Sequence, residues 1–270
     1  VNVLDDFISY YENCRDADAK TRIKGWDSFL ESKHEDFFND AIYRKKTGED
    51  REQYKAHCIE RFWDEIAPKM KEINELNKTI VDEINSVLAD FQKVFPDYEP
   101  VTDFYITISF SFRGKVVDVA GKDIFAIGME YFGDDKTQLQ ITIAHELFHL
   151  HHFAYCSPNG GLYRTLWAEG MATYASAVVV PGHRNSKYLG FSGEKMNKCA
   201  ELLPKMAKEL RENMDDSDQK LKRIYFGAED NDTEIPPEAG YYVGLMIVSE
   251  LARKTPIDKL AKLTADEVYR

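Results

Sequence analysis

The chain of 270 residues and 31.2 kDa carries 35 Lys+Arg against 47 Asp+Glu, a net charge of −12 with a pI near 5.1. That balance argues against nucleic acid or a strongly anionic membrane as partner, because both are held by clustered cations. With 43% hydrophobic and 13% aromatic residues there is ample material for a packed interior, and no apolar run reaches the roughly 18 residues that a membrane span requires.

Residues 1 to about 95 read as helices, with apolar residues at helical spacing and no strand-like alternation. Phe62, Ile66, Ile73, Leu76, Ile80, Ile84, Val87, Leu88 and Phe91 form one apolar stripe, which Pro68 interrupts with a turn or kink. The pattern changes at Pro96-Asp97-Tyr98-Glu99-Pro100. Three β-branched and aromatic runs follow, Phe104–Phe110, Lys115–Val119 and Asp123–Ile127, separated by Arg113-Gly114 and Gly121-Lys122. Such short glycine-bearing connections predict an antiparallel meander.

Asp134-Asp135 then announces a helix over about 136–154, with Asp135 and Gln138 spaced as a capping box. A loop at Asn159-Gly160-Gly161 leads to a second helix from Tyr163 to about Val179. Further helices are predicted over Glu194–Asn213 and Ala239–Arg253, the latter opened by Pro236-Pro237, and a final amphipathic piece follows Pro256. The acidic runs at 215–218 and 229–232 lack calcium-loop spacing and read as solvated loops. Cys14, Cys58, Cys156 and Cys199 are widely spaced without a C-x-x-C pair, so they read as buried small hydrophobes. The chain starts at Val1 with no charged-then-apolar leader, which fits either a shortened chain or one whose export signal has been removed.

The chemistry is concentrated in His145-Glu146-Leu147-Phe148-His149, an H-E-x-x-H sequence inside a helix. Residues four apart lie about 40° apart around a helix, so both imidazoles project from one face and reach a single zinc ion. Glu146 points to the open side of such a metal, where it can take a proton from bound water. Catalytic zinc usually has three protein ligands. Glu169 is the third candidate: nineteen residues separate it from His149, enough for a turn and an antiparallel return. Its neighbours Trp167, Gly170 and Ala172 are apolar or small, and metal ligation explains a carboxylate among them.

H-E-x-x-H followed by a helix with Trp167, Glu169-Gly170 and Ala172 resembles the gluzincin branch of zinc metallopeptidases, which includes thermolysin and the neutral zinc aminopeptidases. The wider layout is similar to a group of predicted bacterial zinc-dependent proteases. The resemblance covers most of residues 100–260 and is specific at the two helices. It implies a zincin-like α+β fold, mostly helical, with a small antiparallel or mixed sheet next to the HExxH helix. Residues 96–270 would form the metallopeptidase core with a C-terminal helical subdomain, and 1–95 a helical N-terminal region.

The resemblance further implies one Zn²⁺ held by His145, His149 and Glu169, with Glu146 as general base. A downstream Tyr or His would stabilise the oxyanion; Tyr241 is the choice, between Gly240 and Gly244, with Tyr242 in reserve. Thr173 stands where thermolysin has an aspartate four residues after the glutamate, which leaves open the group that orients the ligand imidazoles, although such a partner is expected. His151 and His152 read as polar residues at a helix end, His34 and His57 as surface residues, and His183 as a solvated loop histidine, with ligation as the lesser alternative. Phe125–Glu130 is the candidate edge strand for pairing with extended substrate, an ordinary core strand being the competing reading. Glu130 is the acidic residue on offer for a substrate ammonium.

The expected activity is hydrolysis of peptide bonds in a peptide or protein substrate. Two other readings stay open: a non-catalytic zinc-containing module that binds a peptide or partner, and a hydrolase of a non-peptide amide.

Overall fold

In the computed structural model, residues 1–99, 103–156, 160–215, 219–229 and 232–269 are described. Pro100, Asn159, residues 216–218 of the first acidic run and 230–231 of the second lie outside them. The fold is α+β and mostly helical, and the chain divides into two compact units: 1–85 with 100–139, and 86–99 with 140–270.

The first unit opens with α1 (Leu4–Cys14) and α2 (Ala19–Trp26), whose cap Asp18 accepts the Thr21 N–H at 2.7 Å. After α3 (Glu35–Phe37) come α4 (Gly48–Arg61), α5 (Met70–Asn77) and the start of α6 (Ile80–Val94). Three wide π turns, Asp27–Glu31, Phe38–Ile42 and Phe62–Ile66, interrupt the helical path. Around them Phe7, Tyr10, Trp26, Phe38 and Phe62 are fully buried. Their rings meet 5.3–6.2 Å apart, and the Trp26 indole N–H donates to Tyr43 Oη at 2.8 Å. Pro68 sits in a short 3₁₀ turn, Ala67–Lys69, between α4 and α5, and the predicted stripe is buried except for half-buried Leu88.

The three strands are β1 (Phe104–Thr107), β2 (Gly114–Val119) and β3 (Lys122–Gly128). β2 and β3 make the expected hairpin, turned by Ala120 and Gly121 with φ of 52° and 81°. The sheet as a whole is mixed rather than an antiparallel meander. Its order is β1-β3-β2, and β1 runs parallel to β3 from Phe104 opposite Phe125 to Thr107 opposite Gly128. The cause lies in the β1–β2 connection. Phe110 is left-handed (φ 63°), and Ser109 Oγ accepts from the Phe112 N–H at 3.1 Å. This knot turns the chain away from a direct hairpin, so β3 returns into the central place. β3 is therefore paired on both sides and offers no free edge to a substrate, which overturns the edge-strand reading.

Cap Asp135 Oδ1 accepts the Gln138 N–H at 2.9 Å, starting α7 (Lys136–His152) at the predicted place. The helix begins in the first unit and ends in the second. There follow α8 (Leu162–Val179), α9 (Asn185–Leu189), α10 (Gly193–Glu212), α11 (Gln219–Phe226), α12 (Ala239–Leu251), α13 (Ile257–Leu260) and α14 (Ala265–Tyr269). Leu162, Leu166, Cys199, Leu202, Met206, Tyr225 and Val243 belong to one buried apolar cluster of this unit. α9 and α11 were not foreseen from the sequence. All four cysteines are buried and free of disulfides. Among the described residues no helix is long and apolar enough to cross a membrane.

His151 and His152 stand at the end of α7, as expected, but they are buried, at 5% and 0% exposed. The last turn of α7 is covered, His151 by Phe95 and Tyr98 with ring centroids at 5.1 and 5.8 Å, and His152 by Phe148 at 5.2 Å.

Candidate metal centre

α7 and α8 bring together the three residues singled out as ligands. His145 Nε2 and His149 Nε2 lie 3.1 Å apart, and Glu169 Oε2 lies 3.3 Å from the first and 3.4 Å from the second. Among the described residues this is the one group of three or more His, Cys, Asp or Glu donors able to hold a metal ion. The donor set tests well against zinc. Four ligands at about 2.0–2.1 Å in a tetrahedron stand about 3.3–3.4 Å from each other, and the three edges here nearly match that figure. Three lone-pair atoms facing one another at such distances repel unless a proton or a cation lies between them. A divalent ion held by the three would satisfy all of them at once.

Electrostatics binds the triad. Burial works against charge on His149, but the Glu169 carboxylate, with Glu146 adding to it, outweighs that and holds the imidazole up at about 8. Glu169 also resists ionisation through burial, yet the two imidazoles keep its carboxyl far below the usual range.

Orientation of the imidazoles differs from the pattern that the resemblance implies. Thr173, 1% exposed, donates to the Glu169 carbonyl of its own helix at 2.8 Å and is thereby engaged within α8. His149 Nδ1 is buried and has no hydrogen-bond partner among the described residues. The ring is instead stacked on Phe153, one turn later, with centroids 5.6 Å apart and planes 22° apart. Packing replaces the hydrogen bond that commonly fixes a ligand histidine.

Tyr241, in the first turn of α12, stands beside the triad. Its ring lies 6.4 Å from that of His145, and it is close enough to Glu169 to feel that carboxylate's charge. The negative charge of Glu169, then burial, then Glu238 and Glu146 keep this phenol protonated well above its ordinary range. Tyr242 belongs to the apolar cluster with Cys199 and Met206, so the reserve candidate is away from the donors. Glu146 follows His145 directly and is close enough to influence both His149 and Tyr241 electrostatically.

The remaining candidates lie elsewhere. His183 is exposed, with its backbone N–H donating to Tyr188 Oη at 3.1 Å. His34 Nε2 is paired with Asp6 at 2.7 Å and half-buried, whereas His57 is exposed as expected. Trp167 is structural: its indole N–H donates to the Leu263 carbonyl at 3.0 Å. Glu130, considered for a substrate ammonium, is occupied within its own unit. Its Oε1 accepts from the Ser109 and Phe110 N–H groups at 3.0 and 2.7 Å and from Ser109 Oγ at 3.0 Å.

Sequence comparison agrees with this donor set. Residues 111–270, more than half of the chain, match the family described as "Predicted Zn-dependent protease (DUF2268)". The chain belongs to this family. No curated protein and no solved structure matches it significantly. The stretch assigned to this predicted zinc-protease family contains all three donors, Glu146 and Tyr241, and it extends through β2 and β3 to the end of the chain.

Two contributors to the neighbourhood of the donors were missed in the sequence, Phe153 and Phe226. The former carried a usable signal, since it stands four residues after His149 on the same helical face. Phe226 carried none: it comes from a short helix distant in sequence, and its ring packs on Tyr241 at 5.6 Å.

Proposed function

We propose that this protein is a zinc metallopeptidase of gluzincin type, with a zincin-like active site in its second unit. The observation that carries the reading is the convergence of His145 Nε2, His149 Nε2 and Glu169 Oε2 at 3.1–3.4 Å. Membership of a family described as predicted zinc-dependent protease supports the zinc-protease part of this reading.

Zinc, when bound there, supplies a Lewis acid that polarises a carbonyl and acidifies water. Glu146 is the general base, accepting a proton from the attacking water and handing it to the leaving amine nitrogen. Tyr241 Oη, kept protonated by its surroundings, donates to the substrate oxygen as negative charge develops on it. Glu169 holds His149 against rotation by charge, while Phe153 fixes it by stacking.

The test combines metal analysis with a variant. Purified protein should hold stoichiometric zinc, and Glu146→Gln should keep that zinc while losing hydrolysis of a quenched-fluorescent peptide library. Protein that binds no zinc at micromolar concentration, or a Glu146→Gln variant as active as the parent, overturns the reading.

A further inference from the structure

Tyr241 sits at the start of a helix, where backbone and side chains fray most easily, so something must hold it against the metal centre. The end of α11 meets the start of α12 at three points. The Glu238 N–H donates to the Gly227 carbonyl at 3.0 Å, and Glu238 is left-handed (φ 60°), a conformation that a non-glycine residue keeps only when its surroundings enforce it. Lys195 Nζ, from α10, holds the Glu238 carboxylate at 3.0 Å. Between these anchors the Phe226 ring lies on the backbone of Gly240, where an added Cβ would come within 2.5 Å of its Cζ. The same ring meets Tyr241 edge-on, with centroids 5.6 Å apart and planes at 66°, and Tyr241 in turn lies 6.4 Å from the His145 ring.

We propose that Phe226 is a positioning residue for Tyr241, closing the rotamer that would swing the ring away from His145 and the candidate metal centre. Gly240 is required because any side chain there would displace the Phe226 ring. This inference rests on the reading of Tyr241 as oxyanion donor, and Phe226 itself touches no reacting atom.

The test uses the full chain loaded with zinc, 3-fluorotyrosine placed at 241, and the substitution Phe226→Leu, with Phe226→Met in its place should the first fail to fold. The ¹⁹F resonance should move towards that of the free amino acid and broaden, while zinc content stays at the parental level. On a quenched-fluorescent peptide, kcat should fall about three- to tenfold, the size of one aromatic edge contact, with KM unchanged. In a Tyr241→Phe background the same substitution should cost nothing further. An unchanged ¹⁹F signal, or a kcat loss that adds in full to that of Tyr241→Phe, overturns the positioning role. Should Tyr241→Phe alone leave kcat at the parental value, the oxyanion reading falls instead, while the ¹⁹F shift still reports whether Phe226 holds the ring.

Discussion

Gly170 and Gly244 touch backbone to backbone where α8 and α12 cross. A Cβ on Gly170 would stand 2.6 Å from the Gly244 carbonyl carbon, and one on Gly244 would stand 2.7 Å from the Leu166 carbonyl oxygen. Gly170 follows Glu169 directly, and Gly244 lies three residues after Tyr241, one turn along the helix. This close backbone contact between the two helices therefore fixes the position of the proposed third ligand and of the proposed oxyanion donor together.

Gly244→Ala should consequently act on stability and on the metal centre at once. The clashing atoms are backbone, which cannot rotate away, so the helices must separate at a cost of about 1–3 kcal/mol. Calorimetry should show a melting temperature lower by several degrees. Zinc affinity should fall as well, because Glu169 moves with α8. A variant with parental melting and parental zinc binding would mean that the crossing has slack and does not set the geometry.

His152 should make the second unit sensitive to acid. It is fully buried, with Nδ1 2.8 Å from the Ala261 carbonyl and Nε2 without a partner among the described residues, an arrangement that suits the neutral ring donating from Nδ1. Burial pushes its pKa from 6.5 down to about 4, only partly countered by the Ala261 carbonyl. With the folded value below the unfolded one, the stabilisation is complete above 6.5 and is lost as pH falls towards 4. The share at stake is roughly 3 kcal/mol. His152→Asn can still donate to Ala261 but does not titrate. Urea midpoints measured between about pH 7 and about pH 4.5 should fall more steeply for the parent than for the variant; parallel curves would count against this account.

The donors that meet at the metal centre were visible in the sequence because their spacing is local. His145 and His149 share a helical face by position alone, and Glu169 stood out as a carboxylate among Trp167, Gly170 and Ala172. Long-range relations were not visible. The parallel pairing of β1 with β3 depends on a left-handed Phe110 that no pattern of β-branched residues announces. His151 and His152 read as polar because nothing near them in the chain shows that Phe95 and Tyr98 cover the helix end. α11 is short and lies between two acidic runs, which hid the helix that carries Phe226.

Glu130 gives the first unit the opposite pH dependence. Burial raises its pKa from 4.5 to about 7, against the Ser109 and Phe110 donors that pull it down. Stabilisation of the neutral carboxyl is therefore complete below 4.5 and disappears as pH rises through 7. Glu130→Gln retains an acceptor for Phe110 without the ionisation. Chemical denaturation at about pH 5 and about pH 8 should show the variant gaining on the parent as pH rises. Glu130→Ala should be less stable at both values, because the Ser109 and Phe110 N–H groups lose their acceptor. A parent-to-Gln difference that is constant across the range would exclude Glu130 as the titrating group.

Tyr241→Phe separates binding from chemistry. The phenyl ring keeps its contacts with Phe226 and His145, so the fold and the rotamer should persist. Only the hydroxyl is lost. Both imidazoles and the carboxylate remain as donors, so the variant should still bind one zinc ion per chain with little change in affinity. If the hydroxyl stabilises developing negative charge, kcat on a peptide substrate should fall by about 10²–10³ while KM stays near the parental value, the signature of an interaction made in the transition state alone. A rise in KM at constant kcat would make Tyr241 a substrate-binding group. Loss of zinc would instead show that the hydroxyl serves to hold Glu169 in place, and the search for an oxyanion donor would move to another residue.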